Sequence, residues 1–485
     1  MLPAHLLHAL LLGTVLLLNG CSGSSHLLPA LPTSNQFRHA PEDPSLTAAA
    51  SEWWQLFADP RLVQLLQRTA TANSDVRIAV QRLRQARQGV IANSAALWPA
   101  LDLHAAHSDA RTGLPNSIKQ GGMPDLQRQQ IALSAQWELD LFGGRQAAVQ
   151  AAEEDEAAAR YGVAGAQLLA ISETARHYLR WHALQERLQL LQQLLANQQE
   201  QRDRLHSQLR EGLVSEREFQ LAEAELSNLA ALLPALHSQA ALSEQRMALL
   251  SGSDPSVPLP EIEYSPPFPL QQLPEFSPGQ PAALLQRRPD LLAAERELAA
   301  ASARWQEARS QIFPKILLSA LFGRQALTIN HTLQPATSPF STVAASFTLP
   351  LLHAGAIQAN SEAHSAREQE LWLEYEKKLH QAIEEVENLL LALRNNKQSV
   401  QHYQATLQAR QQVQERAASL LREGQSGLLP YLEAQRGLLN AALNMNESKM
   451  QQAMLTVQLF TALGGGWQNL PQPHDMASTS QELQP

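Results

Sequence analysis

Cys21 is the only cysteine in the chain of 485 residues, and its thiol is the one nucleophile placed where a known modification would use it. It follows an apolar run, Leu10 to Leu18. That run is shorter than the roughly 20 residues a membrane helix needs and has the length of the hydrophobic region of a secretory signal. An exported protein with one cysteine cannot form an internal disulfide, so the thiol is read as a lipid acceptor exposed by removal of a signal peptide at residues 1–20. A plain secretory signal followed by an incidental cysteine is the alternative. Residues 21–50, rich in Ser, Pro and Ala, read as a flexible lipidated tether.

No other residues are spaced for catalysis or ligation. The chain has no GxSxG, HExxH, paired CxxC or P-loop pattern. His104 with His107, and His177 with His182, lack partners at metal-ligand spacing. Met445, Met450 and Met454 fit helix packing better than soft-metal handling. Gly464-Gly465-Gly466 follows a helical stretch instead of a strand, so it terminates a helix and cradles no phosphate. We therefore expect no enzyme, no cofactor and no metal. A net charge of −9, a pI near 6.0 and the absence of a Lys/Arg block argue against nucleic acid as a partner.

The elements that surround these residues come in duplicate. Arg210-Glu211-Gly212 recurs as Arg422-Glu423-Gly424, each copy preceded by a long proline-free helical stretch and followed by a shorter one. Leu184, Leu188, Leu191, Leu195, Gln198, Arg202, Leu205 and Leu209 keep an alternating stride of four and three up to the first turn. Leu226, Leu229, Leu233, Leu236, Ala240, Ser243, Met247 and Leu250 keep it afterwards, which implies coiled-coil packing of a helical hairpin. In the second copy Leu379, Val386, Leu393, Val400, Leu407 and Leu421 hold one heptad position, with Ala382, Leu389 and Tyr403 among their partners. Pro234 should kink or break the first return arm, where the arm changes partners. Ahead of each hairpin, Asp75, Ala79, Leu83, Ala86 and Pro99 match Asp290, Ala294, Leu298, Ala301 and Pro314 at an offset of 215, whereas the turns match at 212. A shorter loop in the second copy accounts for the difference.

Between these helical parts the period changes to two. Asp59-Pro60 starts a helix that continues to about Trp98-Pro99, and strands follow at about 99–108 and 129–141. Ile131, Leu133, Ala135, Trp137, Leu139 and Leu141 share one face of the second strand, and polar or small residues share the other. Weaker strands lie at about 315–323 and 341–349. Such a hairpin is either half of a soluble sandwich with Trp137 in its core or a ribbon facing lipid. Four strands cannot close a membrane barrel, so the lipid-facing reading requires two or three copies of the chain. Gly143 and Gly144, and Gly355 in the second copy, permit the turn from strand to helix.

The domain reading is repeat 1 at 51–252 with its helical hairpin at 145–250, a Pro-rich linker at 253–281, repeat 2 at 282–467 with its hairpin at 356–463, and a disordered tail at 468–485. Leu18-Asn19-Gly20-Cys21, Trp53-Trp54 with Asp59-Pro60, Asp140-Leu141-Phe142-Gly143-Gly144-Arg145, Arg288-Pro289-Asp290, both Arg-Glu-Gly turns and Leu463-Gly464-Gly465-Gly466-Trp467 occur in this order. In order and spacing they resemble the TolC-type outer-membrane efflux proteins, in the NodT-like lipoprotein branch.

That resemblance implies a mainly α protein with membrane β, in which a homotrimer forms a twelve-stranded outer-membrane barrel on a periplasmic α-helical barrel, anchored by lipid at Cys21. It implies a passive conduit for small molecules such as drugs or toxic compounds. Its partners would be a periplasmic adaptor, an inner-membrane transporter of RND or MFS type, and outer-membrane lipid. The adaptor would dock at the turns, on Arg210, Gly212, Leu213 and Val214 and on Gly424 and Gly427. Of the two acidic residues that ring the aperture in relatives, one falls on Pro430 and the other on Glu433. The linking arginine falls on Ser426, with Arg422 as the cation available to substitute, and its acidic partner falls on Glu218. As plain helix-end residues, Glu218 and Glu433 would be solvated first-turn charges and the arginines would satisfy last-turn carbonyls. A periplasmic adaptor lipoprotein is the rival reading, although it would carry one long hairpin instead of two.

Overall fold

A few polar residues and glycines set where the helices start and stop. In the computed structural model, which describes residues 36–40, 52–120, 125–259, 278–329 and 336–471, Asp59 accepts the Arg61 amide at 2.9 Å and Pro60 takes the first helical position. Helix α1 is thus Pro60–Ala72. Apolar spacing alone would carry it on to Trp98, but it stops at Asn73. The Asn73 side-chain oxygen accepts the amides of Asp75 and Val76 and opens α2, Ser74–Ala95. Its amide donates at 2.9 Å to the carbonyl of Leu250, far along the chain. The signal region, Cys21, residues 260–277 of the Pro-rich passage and the tail beyond 471 lie outside the described residues.

The order continues as β1 (Ala100–Ala110), β2 (Leu126–Leu139), α3 (Gly144–Arg210), α4 (Glu216–Ala230), α5 (Leu232–Leu250), α6 (Pro289–Ser310), β3 (Lys315–Ile329), β4 (Ala336–Thr348), α7 (Ala356–Arg422) and α8 (Leu428–Ala462). α3 and α7 each have 67 residues, about 100 Å at 1.5 Å per residue. Both begin at a left-handed glycine, Gly143 and Gly355. The first return arm breaks between Ala230 and Leu232, ahead of Pro234. A proline there lacks the amide that would bond the Ala230 carbonyl and its ring collides with that carbonyl. The expected change of partner does not occur, because both α4 and α5 lie against α3.

The four strands form one antiparallel sheet in the order β1-β2-β3-β4. They run further than the apolar alternation, since β2 starts at Leu126 and β3 reaches Ile329. Register places Leu103, Leu133 and Phe322 in one row and Leu101, Ala135, Ala320 and Val343 in the next. This face points outward: Leu101 is 63% exposed, Ile131 61% and Val343 76%, while Ala132 and Ser134 on the opposite face are buried. No second sheet covers it among the described residues, and Trp137 donates its indole N–H to the Leu97 carbonyl at 2.9 Å instead of filling a core. The sandwich reading therefore fails. β1 and β4 are open edges.

Trp53 is fully buried and stacks on Phe460 of α8 at 5.6 Å, with Trp54 and Phe57 edge-on to it at 5.6 and 6.1 Å. Above it, the acidic run of α3 is tied to α2 and α6, with Arg87 on Glu156 at 3.2 Å, Arg296 on Glu154 at 3.2 Å, and Arg304 on Asp155. Residues 36–40 are held on α7, where Glu387 accepts the amides of Arg38 and His39 at 2.5 and 3.1 Å and Phe37 is buried.

Candidate functional site

Both Arg-Glu-Gly turns close in the same way. Gly212 at φ 70° and Gly424 at φ 67° take the left-handed conformation. Leu213 N–H reaches the Gln208 carbonyl and Gln425 N–H the Leu420 carbonyl, each at 2.9 Å. These are paired C-terminal caps that only glycine forms without strain. The turns expose Arg210, Leu213 and Gly212 on one side and Arg422, Gly424 and Gly427 on the other, with Val214 and Ser426 half-buried.

Past the turns the two copies differ. Ser215 and Glu218 form a complete capping box: the Ser215 hydroxyl accepts the Glu218 amide at 3.3 Å, and the Glu218 carboxylate accepts the Ser215 amide at 2.8 Å. The Ser215 backbone and hydroxyl donors hold the Glu218 carboxyl below its ordinary range. At the equivalent positions Gly427 precedes α8 without a side-chain cap, and Pro430 stands in its first turn. Proline fits this first turn because the amides there have no intrahelical acceptor, so nothing is lost by removing one.

Ser215→Ala should therefore speed amide exchange at residues 216–219 at neutral pH, with Glu218→Gln intermediate. A depressed carboxylate pKa means that this cap is complete above the usual glutamate value of about 4.3 and is lost only as pH falls through the folded value. Hydrogen exchange read by mass spectrometry checks this. Equal rates in Ser215→Ala and the parent would remove the cap from the description.

Within one subunit the candidate aperture residues do not form a network. Glu433 is exposed on the first turns of α8, Arg422 donates to the Ala418 carbonyl at 3.3 Å in its own helix, and Ser426 N–H reaches the Leu420 carbonyl at 3.3 Å. Among the described residues no ion pair joins Arg210, Arg422, Glu218 or Glu433 to one another. His182 is buried and His177 half-buried: burial pulls the His182 imidazole down to about 4 and also lowers His177. No group of three His, Cys, Asp or Glu able to hold a metal occurs among the described residues.

Two joints escaped the sequence pattern. Where α5 ends below α2, Asn73 caps α2 and takes the Leu250 carbonyl, and Gly252 sits against the backbone of Ala72. Where α8 ends below α6, Arg288 donates to Asp290 at 2.8 and 3.0 Å, to Glu385 of α7 at 2.7 Å and to the Ala462 carbonyl at 2.9 Å. Gly464 presses on the backbone of Arg287 there. Each joint splices two short helices end to end beside a long one. The sequence marks these places only locally, by Asp290 matching Asp75 and by the Arg288-Pro289-Asp290 and Leu463-Gly464-Gly465-Gly466-Trp467 motifs, because the bonding partners lie about a hundred residues or more away. Gly144 marks a third close approach: a Cβ there would meet the Ser310 hydroxyl at the foot of the sheet.

An outward apolar sheet with open edges, carried on paired 67-residue helices, defines the class as a membrane channel continued by a helical tube. The profile of the outer membrane efflux protein family matches residues 65–253 and 281–465, one segment per repeat, and the chain belongs to that family. The pyoverdine export outer membrane protein OpmQ of Pseudomonas aeruginosa is 30% identical over 95% of this chain and 97% of its own length. The probable efflux pump outer membrane protein TtgC of Pseudomonas putida is 28% identical over 94% of each. Nodulation protein T of Rhizobium leguminosarum bv. trifolii is 27% identical over 93% of this chain and 96% of its own. Among solved structures, the outer-membrane channel OprN superposes with a TM-score of 0.75 at 26% identity, over 91% of this chain and 98% of its own. The fold is that of TolC-like channels, the protein is an outer-membrane efflux component reaching into the periplasm, and the adaptor reading has no support because the match spans both repeats.

Proposed function

We propose that the chain works as a homotrimeric, passive outer-membrane conduit of a tripartite export system, anchored by lipid on Cys21. The carrying observation is the four-stranded sheet whose outward face is apolar and whose edges, β1 and β4, are unpaired. Unpaired strand edges are not tolerated in hydrocarbon. Three copies joined β4 to β1 give twelve strands, an even number that closes. The lower half of α7, where Val400, Leu407 and Leu421 are only half-buried and Tyr403 is exposed, supplies the matching surface below. An adaptor engages the turns at Arg210–Val214 and Arg422–Gly427, and an inner-membrane pump of RND or MFS type delivers drugs or other toxic small molecules. Glu433 lines the aperture together with Arg422, Ser426 and Glu218, and the second hairpin swings outward when the adaptor engages. Glu433→Ala should then raise the conductance of purified trimers in planar bilayers and weaken cation preference. Unchanged conductance and selectivity would take that residue out of the aperture, and a monomeric water-soluble species would remove the conduit itself.

A further inference from the structure

The face of the sheet opposite the apolar one becomes the wall of the lumen once three copies close. Strand alternation puts Arg128, Gln130, Ala132 and Ser134 of β2 on that face. Arg128 stands near its outer end, away from the helices, opposite Ser108 on β1 and Leu327 on β3. Its side chain is exposed and held from one side: Nε and Nη2 donate at 3.2 and 2.8 Å to a single oxygen, Oε1 of Gln325. Gln325 lies one row nearer the foot of the sheet, opposite Gln130. This grip uses one edge of the guanidinium and leaves the Nη1–Nη2 end, the edge that takes a carboxylate, sulfonate or phosphate with two parallel bonds.

No carboxylate neutralises this charge. Among the described residues Arg128 makes no ion pair, and Gln325 is its side-chain partner. The nearest carboxylate on the same face of the sheet is Asp102, opposite Ser134, and at six residues from Ser108 it is about 20 Å along the strand. The two carboxylates closer by along the β-hairpin are committed elsewhere. Asp109 is on the other face and accepts from Arg111 and from Gln127, each at 3.2 Å. Asp125, in the connection from β1 to β2, accepts from Lys119 Nζ at 2.6 Å and from the Thr112 amide at 2.9 Å. The outer end of the inner face thus carries one fixed positive charge per subunit among the described residues.

We infer that Arg128 forms an anion-binding ring at the outer mouth of the barrel, three guanidinium groups that bind the acidic groups of small organic anions. This rests on the proposed closure of three copies into one barrel. Twelve strands about 4.8 Å apart and tilted about 40° close at a backbone radius of roughly 12 Å, so a solute on the axis passes all three side chains at less than that distance. A lumen walled by protein and lipid focuses a field of one sign. The aperture at Glu433 lies beyond the 67 residues of α7, about 100 Å away and many times the Debye length of about 8 Å, so the ring acts independently of it.

The test adds pyrenetetrasulfonate, a tetravalent organic anion, to the extracellular side of full-length trimers in planar bilayers and reads the concentration that halves the current. Arg128→Gln should raise that concentration at least about tenfold, and Arg128→Lys, which keeps the charge without the fork, about threefold. Arg324 is exposed on the outward face of β3, and Arg324→Gln, the control for surface charge, should change the value by less than about twofold. A second measurement needs no variant: from the periplasmic side of the parent, block should require at least about tenfold more of the anion. Equal block of the parent and Arg128→Gln, an equal loss in Arg324→Gln, or equal block of the parent from both sides overturns the ring. Parent trimers that carry no current would instead overturn the conduit reading.

Discussion

Gly323→Val should abolish the heat-modifiable, folded form of the protein in outer-membrane fractions. Gly323 stands opposite Ala132 on β2 and Phe340 on β4. A Cβ built on it would lie 2.3 Å from the Ile131 carbonyl oxygen and 2.8 Å from the Ala132 Cα. These are backbone atoms of the neighbouring strand, which no rotamer change can move. Among the described residues, the β2–β3 pairing is also the one seam within the sheet that joins the two β-hairpins. Without it each repeat keeps a two-stranded ribbon, which is marginal by itself. Overpacking of this kind costs more than about 3 kcal/mol when the clash is with backbone. Ala345→Val, on the exposed outward face of β4, is the control and should assemble normally. A folded trimer of Gly323→Val at parental levels would mean that β2 and β3 can separate without loss of the sheet.

The duplication was visible because left-handed backbone positions demand glycine. Gly143, Gly212 and Gly252 recur as Gly355, Gly424 and Gly464, all with positive φ and each 212 residues on. The heptad stripe of the return arm was equally readable: Leu226, Leu229, Leu233 and Leu236 are half-buried, and Ala240, Ser243, Met247 and Leu250 are buried. Alternation located the strands only where one face is apolar. Their upper ends, such as Gln127 to Gln130 on β2, are polar on both faces in sequence and are held by ladder bonds instead. The break at Asn73 was hidden for another reason, since an asparagine between two helical stretches is ambiguous until the Leu250 carbonyl arrives to take its amide.

The turns were legible as local structure, and their chemistry was not. Ser215 and Glu218 can be paired by eye as a capping box, whereas the resemblance places on Glu218 the acidic partner of an arginine whose own position is taken by Ser426, with a solvated first-turn charge as the alternative. Within one subunit that carboxylate accepts from Ser215. Links between subunits need neighbours that one chain does not contain. In sequence Asn197, Gln198, Gln201 and Gln208 are ordinary polar residues of a glutamine-rich helix. Only the fold shows that their side-chain oxygens are buried.

Gly464→Ala should destabilise the protein far more than Gly424→Ala, although both glycines have nearly the same backbone, φ 71° and 67°. An alanine pays about 1 kcal/mol for the left-handed conformation at either site. Nothing lies within 4 Å of a Cβ at Gly424, which ends α7 at an exposed turn. At Gly464 the same atom would fall 2.6 Å from the Arg287 carbonyl oxygen and 2.8 Å from the Arg288 amide nitrogen. Relief requires α8 to draw away from α6, which pulls the Ala462 carbonyl from Arg288 and disturbs the indole bond from Trp467 to Arg287 at 2.8 Å. Arg288, with only 14% of its side chain exposed, would then face Asp290 and Glu385 without its carbonyl partner. The added loss is about 2–4 kcal/mol from the clash and the broken buried bonds together. Denaturant midpoints of purified trimers, with hydrogen exchange at 455–462 and 289–295 to localise the change, measure the difference. Equal midpoints for the two variants would show that the spliced helix ends carry no load, and the second hairpin would then be fixed to the upper tube by α7 alone.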